Sequence, residues 1–361
     1  MDKVLLFSIF SLFSICFISV YAAVHEGNMY IWQKQNIYWI IGIIILIIVS
    51  LIPIRKIAFA TWGIYLIALI LLLLVPLIGD TNMGAKRWIN LGIVNIQPSE
   101  VMKWGMMLAL AYYYASREAN NIKNVFISFI FAAIPAGLIV QQPDLGTALV
   151  LLFTGAFIIL AAGFPWRWLF ALTLSSPVFL YILWNNMKDY QKGRVMMFLD
   201  PQQDPLDKGY HVIQSSIAIG SGGLFGKGFL EGTQSRLHFL PEQHTDFIFA
   251  VIAEQGGLLA GVVLLCLYTL LIGRIIYISS IASSRFASLI CIGVAAIFTL
   301  YVFINIGMVS GILPVVGVPL PFISYGGTSL ITVLAASGLV MRVYIESKNK
   351  IPWQRPGNPL S

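Results

Sequence analysis

Long apolar runs separated by short polar segments cover most of the chain. A helix needs roughly 20 apolar residues to cross a hydrocarbon core of about 30 Å. Runs of about this length lie near residues 4–24, 37–53, 57–78, 99–115, 124–141, 144–163, 166–185, 246–278, 286–310 and 324–345. The pattern predicts an all-α polytopic membrane protein with about ten transmembrane helices. The first run exceeds the roughly 7–15 apolar residues of a cleaved signal, so we expect it to stay as the first helix.

The composition supports this interpretation. Of 361 residues, 58% are hydrophobic and 10% are charged, whereas soluble domains have roughly 45–50% and about 25%. The net charge is +7, but the basic residues are dispersed among short loops, which indicates membrane orientation and not nucleic-acid binding. Cys16, Cys266 and Cys291 lie in apolar runs without metal-ligand spacing, so we expect them to be buried small hydrophobic residues.

The loops predict one membrane-embedded domain over residues 1–361. The short loops opposite the N-terminus carry only three basic residues, Lys34, Lys86 and Arg87. The excess of lysine and arginine on the other side predicts that both termini, including a tail at 346–361, are cytoplasmic. Residues 186–245 then form a long extracytoplasmic loop between helices 7 and 8. Within it, residues 210–219 have apolar positions at helical spacing and predict an amphipathic helix on the membrane surface.

A charged segment opens the fourth run, at QPSEVMK (residues 97–103). Glu100 and Lys103 are three residues apart and therefore share a helix face, and Lys86 and Arg87 lie just upstream in the same outer loop. Charged groups in transmembrane segments are costly and usually mark function. Two interpretations are open: a self-neutralising pair that lets the helix insert, or an anion site suited to phosphate or pyrophosphate.

Two further acidic motifs stand at helix starts. Asp144, in QPDLGT (142–147), is either the N-cap or first-turn acid of the sixth helix or a functional group. In LPEQHTDF (240–247), Thr245 or Asp246 could cap the eighth helix. Asp246 could instead be a general base at the mouth of a membrane cavity, opposite the cations. Glu254 lies two turns deeper, and its partner cannot be identified from sequence.

Several other motifs fail on spacing. The segment GSGGLFGKG (220–228) is neither a P-loop nor a dinucleotide-binding loop, so we interpret it as flexible backbone at the membrane surface. His238 and His244 lack the HExxH pattern of zinc proteases. His244 and Asp246 also lack a placed nucleophilic serine, so a hydrolase triad is not expected.

Several motifs in order along the chain resemble the SEDS family (shape, elongation, division and sporulation). They are KRW (86–88), QPSE (97–100), QPDLGT (142–147), GTQS (232–235), LPEQHTDFIF (240–249), NIGM (305–308) and PLPFISYGG (319–327). The resemblance covers essentially the whole chain. The GTQS segment and the short tails look like the RodA branch of elongation proteins rather than the FtsW branch of division proteins.

The resemblance implies a peptidoglycan glycosyltransferase for cell-wall elongation and rod shape. Such an enzyme polymerises lipid II into β-1,4 glycan strands on the outer face of the bacterial cytoplasmic membrane. It also implies a class B penicillin-binding protein and other elongation-complex proteins as partners. The family's essential aspartate falls on Asp246, its glutamate and lysine of the fourth helix on Glu100 and Lys103, and its Pro-Asp-Leu-Gly acid on Asp144.

The implied chemistry assigns roles to these residues. Lipid II is an α-linked glycosyl pyrophosphate, so inversion at the anomeric carbon yields the β-linkage in a single displacement that needs one base, Asp246. Lys103, with Lys86 and Arg87, would stabilise the pyrophosphate leaving group, and Glu100, Asp144 and His244 would contact substrate. A divalent cation, Mg²⁺ or Mn²⁺, could bridge Asp246 or Asp144 to phosphate oxygens.

Two other classes of protein fit a polytopic chain with charged residues in its helices. A lipid II flippase or another membrane transporter would need polar sites that open to both faces. A non-catalytic scaffold would activate an enzyme partner, and its outer-face acids would tolerate substitution. The unusual acids and cations gather toward one predicted face, which favours chemistry at that face.

Overall fold

The computed structural model describes residues 1–82, 85–90, 95–186, 208–236, 239 and 243–349. In this part of the chain the helices are α1 (Lys3–Val24), α2 (Met29–Leu51), α3 (Ile54–Ile78), α4 (Pro98–Tyr114), α5 (Ile122–Gln141), α6 (Leu145–Ala161), α7 (Trp166–Asn186), α8 (Lys208–Ser221), α9 (Thr233–Arg236), α10 (Ile248–Ser280), α11 (Arg285–Val309) and α12 (Gly327–Lys348).

The prediction of an all-α, multi-span membrane protein is confirmed. Each predicted run coincides with one of the long helices, and seven of these in the described residues are long and apolar enough by length and composition to cross a membrane. Helix α2 begins at Met29, eight residues before its predicted start. Asn28 caps it by accepting from the Tyr30 amide. A hydropathy average misses this first part because it contains polar side chains such as Gln35, which is buried in the bundle.

Burial separates inner from outer helices. Every residue of α4 except Val101 and Tyr112 is buried, and α11 is buried along most of its length. The outer helices instead expose large apolar side chains, among them Phe7, Ile40, Phe59 and Phe126, as lipid contact requires. Cys16 and Cys291 are buried as predicted, but Cys266 is exposed, so that prediction is wrong for the outward face of α10.

A small antiparallel sheet, which the hydropathy pattern does not predict, connects α3 to α4. Its strands β1 (Asp80–Asn82), β2 (Ala85–Asn90) and β3 (Asn95–Ile96) pair in the order β1-β2-β3. Such short strands carry too few residues for a period of two to stand out. The sheet reaches the turn between α5 and α6, because Arg87 donates to the carbonyl oxygens of Gln142 and Pro143 at 3.0 and 2.6 Å.

Successive long helices run in alternating directions, so the N-terminal ends of α4, α6, α10 and α12 lie with the C-terminal end of α11 at the sheet end of the bundle. The opposite end is closed by ion pairs. Asp2 accepts from Arg274 at 2.6 Å, and Glu346 accepts from Arg342 and from the Ile54 amide. Burial alone would raise the pKa of Asp2, but the hydrogen bonds and the charge of Arg274, together with the backbone amides of Leu5 and Val4, outweigh burial and hold that pKa below its usual value.

Two segments of the long loop are docked on the bundle. Helix α8 contains the predicted residues 210–219 but packs against α10 and α11, with the Ser215 hydroxyl donating to the Val309 carbonyl at 2.8 Å. The predicted helix is confirmed and packs on the bundle, and its placement at the membrane surface stays a prediction. At the other end of the chain α12 continues to Lys348, two residues beyond the start of the predicted tail, and residues 350–361 lie outside the described part.

The glycine-rich segment 220–228 is built into a break in α10. Gly257 has a left-handed φ of 66° inside this helix, and the backbone groups released by the break pair with the segment. The bonds are Lys227 N to Glu254 O, Gly228 N to Gln255 O, Leu258 N to Gly223 O and Leu259 N to Leu224 O, at 2.9–3.1 Å. The interpretation as flexible backbone is therefore wrong, because these main-chain bonds fix the segment, although Leu224 and Phe225 are exposed at the surface.

Substitution of Gly226 by alanine should destabilise the protein. Gly226 has φ +81°, and a Cβ there would lie 2.0 Å from the Gln255 carbonyl oxygen, so the main chain must shift. The left-handed conformation alone costs a residue with a Cβ about 1–2 kcal/mol. We expect a lower thermal unfolding midpoint for purified Gly226→Ala in detergent.

Gly220→Ala is the matched control. A Cβ at Gly220 meets no atom within 4 Å, and alanine favours the helix that contains it. Its unfolding midpoint should equal or exceed that of the unaltered protein. Equal midpoints for the two alanine variants would show that the insertion of the segment into α10 does not stabilise the fold.

Candidate active site

A buried ion pair lies at the start of α4. The helix begins at Pro98, a residue suited to the first helical position, and places Glu100 in its first turn. One turn on, the Lys103 ammonium lies 2.6 Å from Glu100 Oε1, and the two side chains are 1% and 3% exposed. The predicted shared face is confirmed, and the charges neutralise each other inside the bundle.

The pair has partners from two further helices. The Tyr301 hydroxyl of α11 lies 3.2 and 3.3 Å from the two carboxylate oxygens of Glu100. The ring of Tyr301 also lies 4.4 Å from the Lys103 ammonium, at a cation–π distance. Thr332 of α12 is at 3.5 Å from the same carboxylate. Lys103 therefore points into the protein and is held there by a carboxylate and an aromatic face.

The two other predicted cations lie on strand β2. Lys86 Nζ is 3.5 Å from the Pro76 carbonyl oxygen at the end of α3. Arg87 binds the carbonyls that end α5, as described above. Each cation thus contacts main-chain oxygens at the sheet end of the bundle. Their role in a phosphate clamp stays a prediction.

Asp144 is the N-cap of α6, which confirms the capping interpretation of this residue. Its Oδ1 accepts from the Thr147 amide at 3.1 Å, and its Oδ2 lies 3.4 Å from Gln97 Nε2. Gln97 immediately precedes α4, so this contact joins the starts of α4 and α6. Both carboxylate oxygens of Asp144 are engaged, and the side chain is buried.

The segment that contains Asp246 is not the cap of α10. The helix starts at Ile248, and its N-cap is Phe247, which makes no side-chain capping bond. The interpretation of Thr245 or Asp246 as an N-cap is therefore wrong. A capping side chain accepts a hydrogen bond from the first helical amides. The main chain of this segment is instead bonded to residues outside α10.

Three consecutive carbonyl groups of this segment accept hydrogen bonds from the facing part of the protein. The Tyr325 amide donates to the His244 carbonyl at 2.8 Å, and the Ser324 hydroxyl donates to the Thr245 carbonyl at 2.7 Å. The Asn305 amide donates to the Asp246 carbonyl at 2.9 Å. The predicted contact residue His244 is half-buried, with its ring 5.5 Å from the Tyr325 ring.

The loop between α11 and α12 packs against the starts of both α6 and α10. Gly317 has φ +69°, and a Cβ there would lie 3.4 Å from Asp246 Oδ2. One residue earlier, the Val316 carbonyl approaches α6 so closely that a Cβ on Gly146 would lie 2.5 Å from its oxygen. Asp144 and Asp246 therefore stand on two sides of the same loop. The half-buried Asp246 carboxylate is suited to accept a proton from a bound hydroxyl.

Glu254, which had no identifiable partner in the sequence, anchors the loop before Asp246. Its carboxylate is fully buried and accepts from Lys227 at 3.0 Å and from the Gln234 and Ser235 amides at 2.8 and 3.1 Å. These donors belong to the glycine-rich segment and to α9. Glu254 thus holds the two ends of a 20-residue segment, 235–254, that contains Asp246.

A divalent cation at Asp246 or Asp144 stays a prediction, and the carboxylates present are compatible with it. Among the residues that the structure describes, no group of three or more His, Cys, Asp or Glu side chains could hold a metal ion. Mg²⁺ is commonly held by one or two carboxylates together with substrate phosphates, so a substrate-dependent ion needs no such group. The carboxylate of Asp144 accepts hydrogen bonds from the Thr147 amide and from Gln97, so its Oδ2 would have to exchange the Gln97 contact for a metal ion.

Sequence reasoning assigned no role to Tyr301, Asn305 and Ser324. Asn305 carries a signal, since an amide inside an apolar run is costly unless it has partners. Tyr301 precedes it by one helical turn and therefore lies on the same face of the predicted helix. Ser324 lies in a loop, where nothing in the sequence specifies a contact with residue 245.

Comparison with known proteins gives consistent relatives. Residues 2–349 match the model of the FtsW/RodA/SpoVE family, described as cell cycle protein. Peptidoglycan glycosyltransferase MrdB of Escherichia coli K12 is 47% identical over 312 residues, 85% of this chain and 84% of that protein. Probable peptidoglycan glycosyltransferase FtsW of Coxiella burnetii is 38% identical over 327 residues, 88% of this chain and 87% of that protein.

Solved structures show the same fold. A chain described under "Structural coordination of polymerization and crosslinking by a peptidoglycan synthase complex" superposes with a TM-score of 0.83 at 32% identity, covering 96% of this chain and 98% of that one. The crystal structure of Thermus thermophilus rod shape determining protein RodA gives a TM-score of 0.73 at 28% identity, with 96% and 97% coverage. The chain belongs to the FtsW/RodA/SpoVE family, the SEDS proteins, and resembles its RodA branch.

Proposed function

We propose that this chain polymerises lipid II into β-1,4 glycan strands, with Asp246 as the general base. It is a peptidoglycan glycosyltransferase, a class supported by its family and by relatives of that name at up to 47% identity. The observation that carries the mechanism is the placement of Asp246. Its main chain is pinned by Asn305, while its carboxylate is half-buried beside Gly317 at the polar end of the bundle.

The stereochemistry requires only one carboxylate. The donor carries an α-linked pyrophosphate and the product is β-linked, so the incoming hydroxyl displaces the leaving group directly. Asp246 takes the proton from the 4-hydroxyl of the acceptor sugar as the new bond forms. General-base assistance of this kind contributes roughly 10²–10⁴-fold to the rate. No enzyme nucleophile is required, which agrees with the absence of a suitable motif in the sequence.

The leaving pyrophosphate needs positive charge. A divalent cation bound by Asp246 and the phosphates would supply Lewis-acid stabilisation. The protein's own candidates are Lys103, Lys86 and Arg87. Because Lys103 is buried against Glu100, it would reach phosphate only if the pair reorients when substrate binds, whereas Lys86 and Arg87 lie on the sheet at the same end of the bundle.

Location and partners follow from the same proposal. The polar end of the bundle faces outward in a bacterial cytoplasmic membrane, both termini are cytoplasmic, and lipid II arrives from the surrounding bilayer. A class B penicillin-binding protein supplies the crosslinking step. The similarity to a chain from a peptidoglycan synthase complex that coordinates polymerization and crosslinking supports such a partner.

Asp246→Asn should abolish glycan synthesis while the protein stays folded. The substitution keeps the size of the side chain but removes the proton acceptor. Purified protein is incubated with fluorescent lipid II and a divalent cation, with moenomycin present to silence contaminating classical polymerases, and products are resolved as glycan ladders. We expect ladders from the unaltered chain and none from the variant.

Asp80→Asn is the control for this test, since Asp80 is an exposed acid on the neighbouring strand β1. It should polymerise normally. Ladders from Asp246→Asn at the rate of the unaltered chain would refute the assignment of the base. Translocation of lipid II in liposomes by a chain that makes no ladders would favour the flippase instead.

Lys103→Ala should lower turnover, but this single substitution has two effects that could each do so. It removes the proposed phosphate contact, and it also leaves the Glu100 carboxylate buried without its cation, which typically costs 3–5 kcal/mol. The double variant Glu100→Gln with Lys103→Met separates the two, since it removes both charges and nearly preserves volume. We expect the double variant to unfold at a temperature near that of the unaltered chain and still to make less glycan.

Recovery of full turnover in the double variant would show that the pair serves insertion and packing alone. Full turnover in Lys103→Ala itself would also refute a phosphate contact. Both assays use the same lipid II mixture, so the two outcomes are read on one scale.

A further inference from the structure

One face of α11 contacts both the Glu100–Lys103 ion pair and the segment that contains Asp246. Tyr301 and Asn305 are four residues apart and therefore lie one above the other on the helix; both are buried. The Tyr301 hydroxyl donates to Glu100. One turn further along, the Asn305 amide nitrogen donates to the carbonyl oxygens of Asp246 and Val318, at 2.9 and 2.7 Å.

We propose that Tyr301 and Asn305 are positioning residues that set Asp246 against the Glu100–Lys103 pair through one turn of α11. The inference rests on the proposed polymerase function and identifies how its base is placed. A helical turn is rigid and rises about 5.4 Å. The spacing between the two hydrogen-bonded groups is therefore fixed by the helix and does not depend on the loops that contribute Asp246 and Val318.

Helix α10 cannot provide this placement alone. Asp246 lies before its first turn, the N-cap Phe247 makes no side-chain bond, and the helix is broken at Gly257. Asn305 compensates because its single amide nitrogen has two hydrogens. They bind carbonyl oxygens from two separate segments and so join the start of α10 to the loop beside the Asp246 carboxylate.

Tyr301 has a corresponding role toward the ion pair. Its hydroxyl bridges the two oxygens of Glu100, while its ring lies under the Lys103 ammonium. A phenylalanine would keep the ring and its packing and lose only the hydroxyl. The change therefore tests orientation of the pair without opening a cavity.

The test compares Tyr301→Phe with Tyr114→Phe. Tyr114 lies near the opposite end of α4, and its buried hydroxyl bonds Ser128 at 2.7 Å, so both variants lose one buried hydroxyl. The kcat and the KM for fluorescent lipid II are measured on the purified full-length chain, together with the unfolding midpoint in detergent. We expect kcat of Tyr301→Phe to fall by up to about 100-fold, as a misplacement of about 1 Å in the reacting groups can produce. The KM and the unfolding midpoint should stay close to those of Tyr114→Phe.

A double variant tests whether the two residues act as one link. We expect Asn305→Ala also to lower kcat, and the combination with Tyr301→Phe to lose less than the product of the single losses, since residues of one network are not additive. Independent, multiplicative effects would overturn the link.

Three other outcomes of the Tyr301→Phe comparison would also overturn the proposal. They are an unchanged kcat, a change confined to KM, and failure to fold while Tyr114→Phe folds, which would make the hydroxyl a stability group only. An unaltered chain that makes no glycan would instead refute the polymerase function itself. The failures of the two proposals are thus distinguishable.

Discussion

The structure depends on one costly interaction, the ion pair of Glu100 and Lys103 inside an apolar bundle. Moving each charge out of water costs several kcal/mol, and the pair compensates only if its remaining polar atoms are also satisfied. The pair therefore requires a third and a fourth partner, which are Tyr301 and Thr332 on two other helices. This requirement brings α4, α11 and α12 together at one end of the bundle, and packing against α3 and α6 completes the burial of α4 along its length.

The position of Asp246 follows from the same arrangement. The bonds that hold its segment use main-chain carbonyls, with donors from Asn305, Ser324 and the Tyr325 amide. These bonds to the main chain therefore set the position of the Asp246 carboxylate. On the far side Glu254 ties down the chain that leads into the segment. A general base needs placement of this kind, since errors of about 1 Å can cost 10²-fold in rate.

The sequence predicted features that depend on local pattern. Helix number follows from hydropathy, and the capping role of Asp144 follows from the chemistry of helix starts. Features that depend on distant contacts could not be predicted. The partner of Glu254 lies 27 residues away at Lys227, and the start of α10 is shifted past Asp246 by bonds from α11 and the following loop. Asn305 was visible as a costly amide, but its two acceptors were not.

The distribution of polar groups favours chemistry at one end of the bundle over transport through it. Alternating access needs a polar site that both faces can reach. Here the acids Glu100, Asp144 and Asp246 lie at one end of the bundle. The central helices meet beyond them through buried apolar side chains such as Met107 of α4 and Phe298 of α11. The other end is closed by the ion pair of Asp2 with Arg274. A substrate that enters from the bilayer and leaves as a polymer on the same side needs no polar route through that core, so this architecture suits a polymerase.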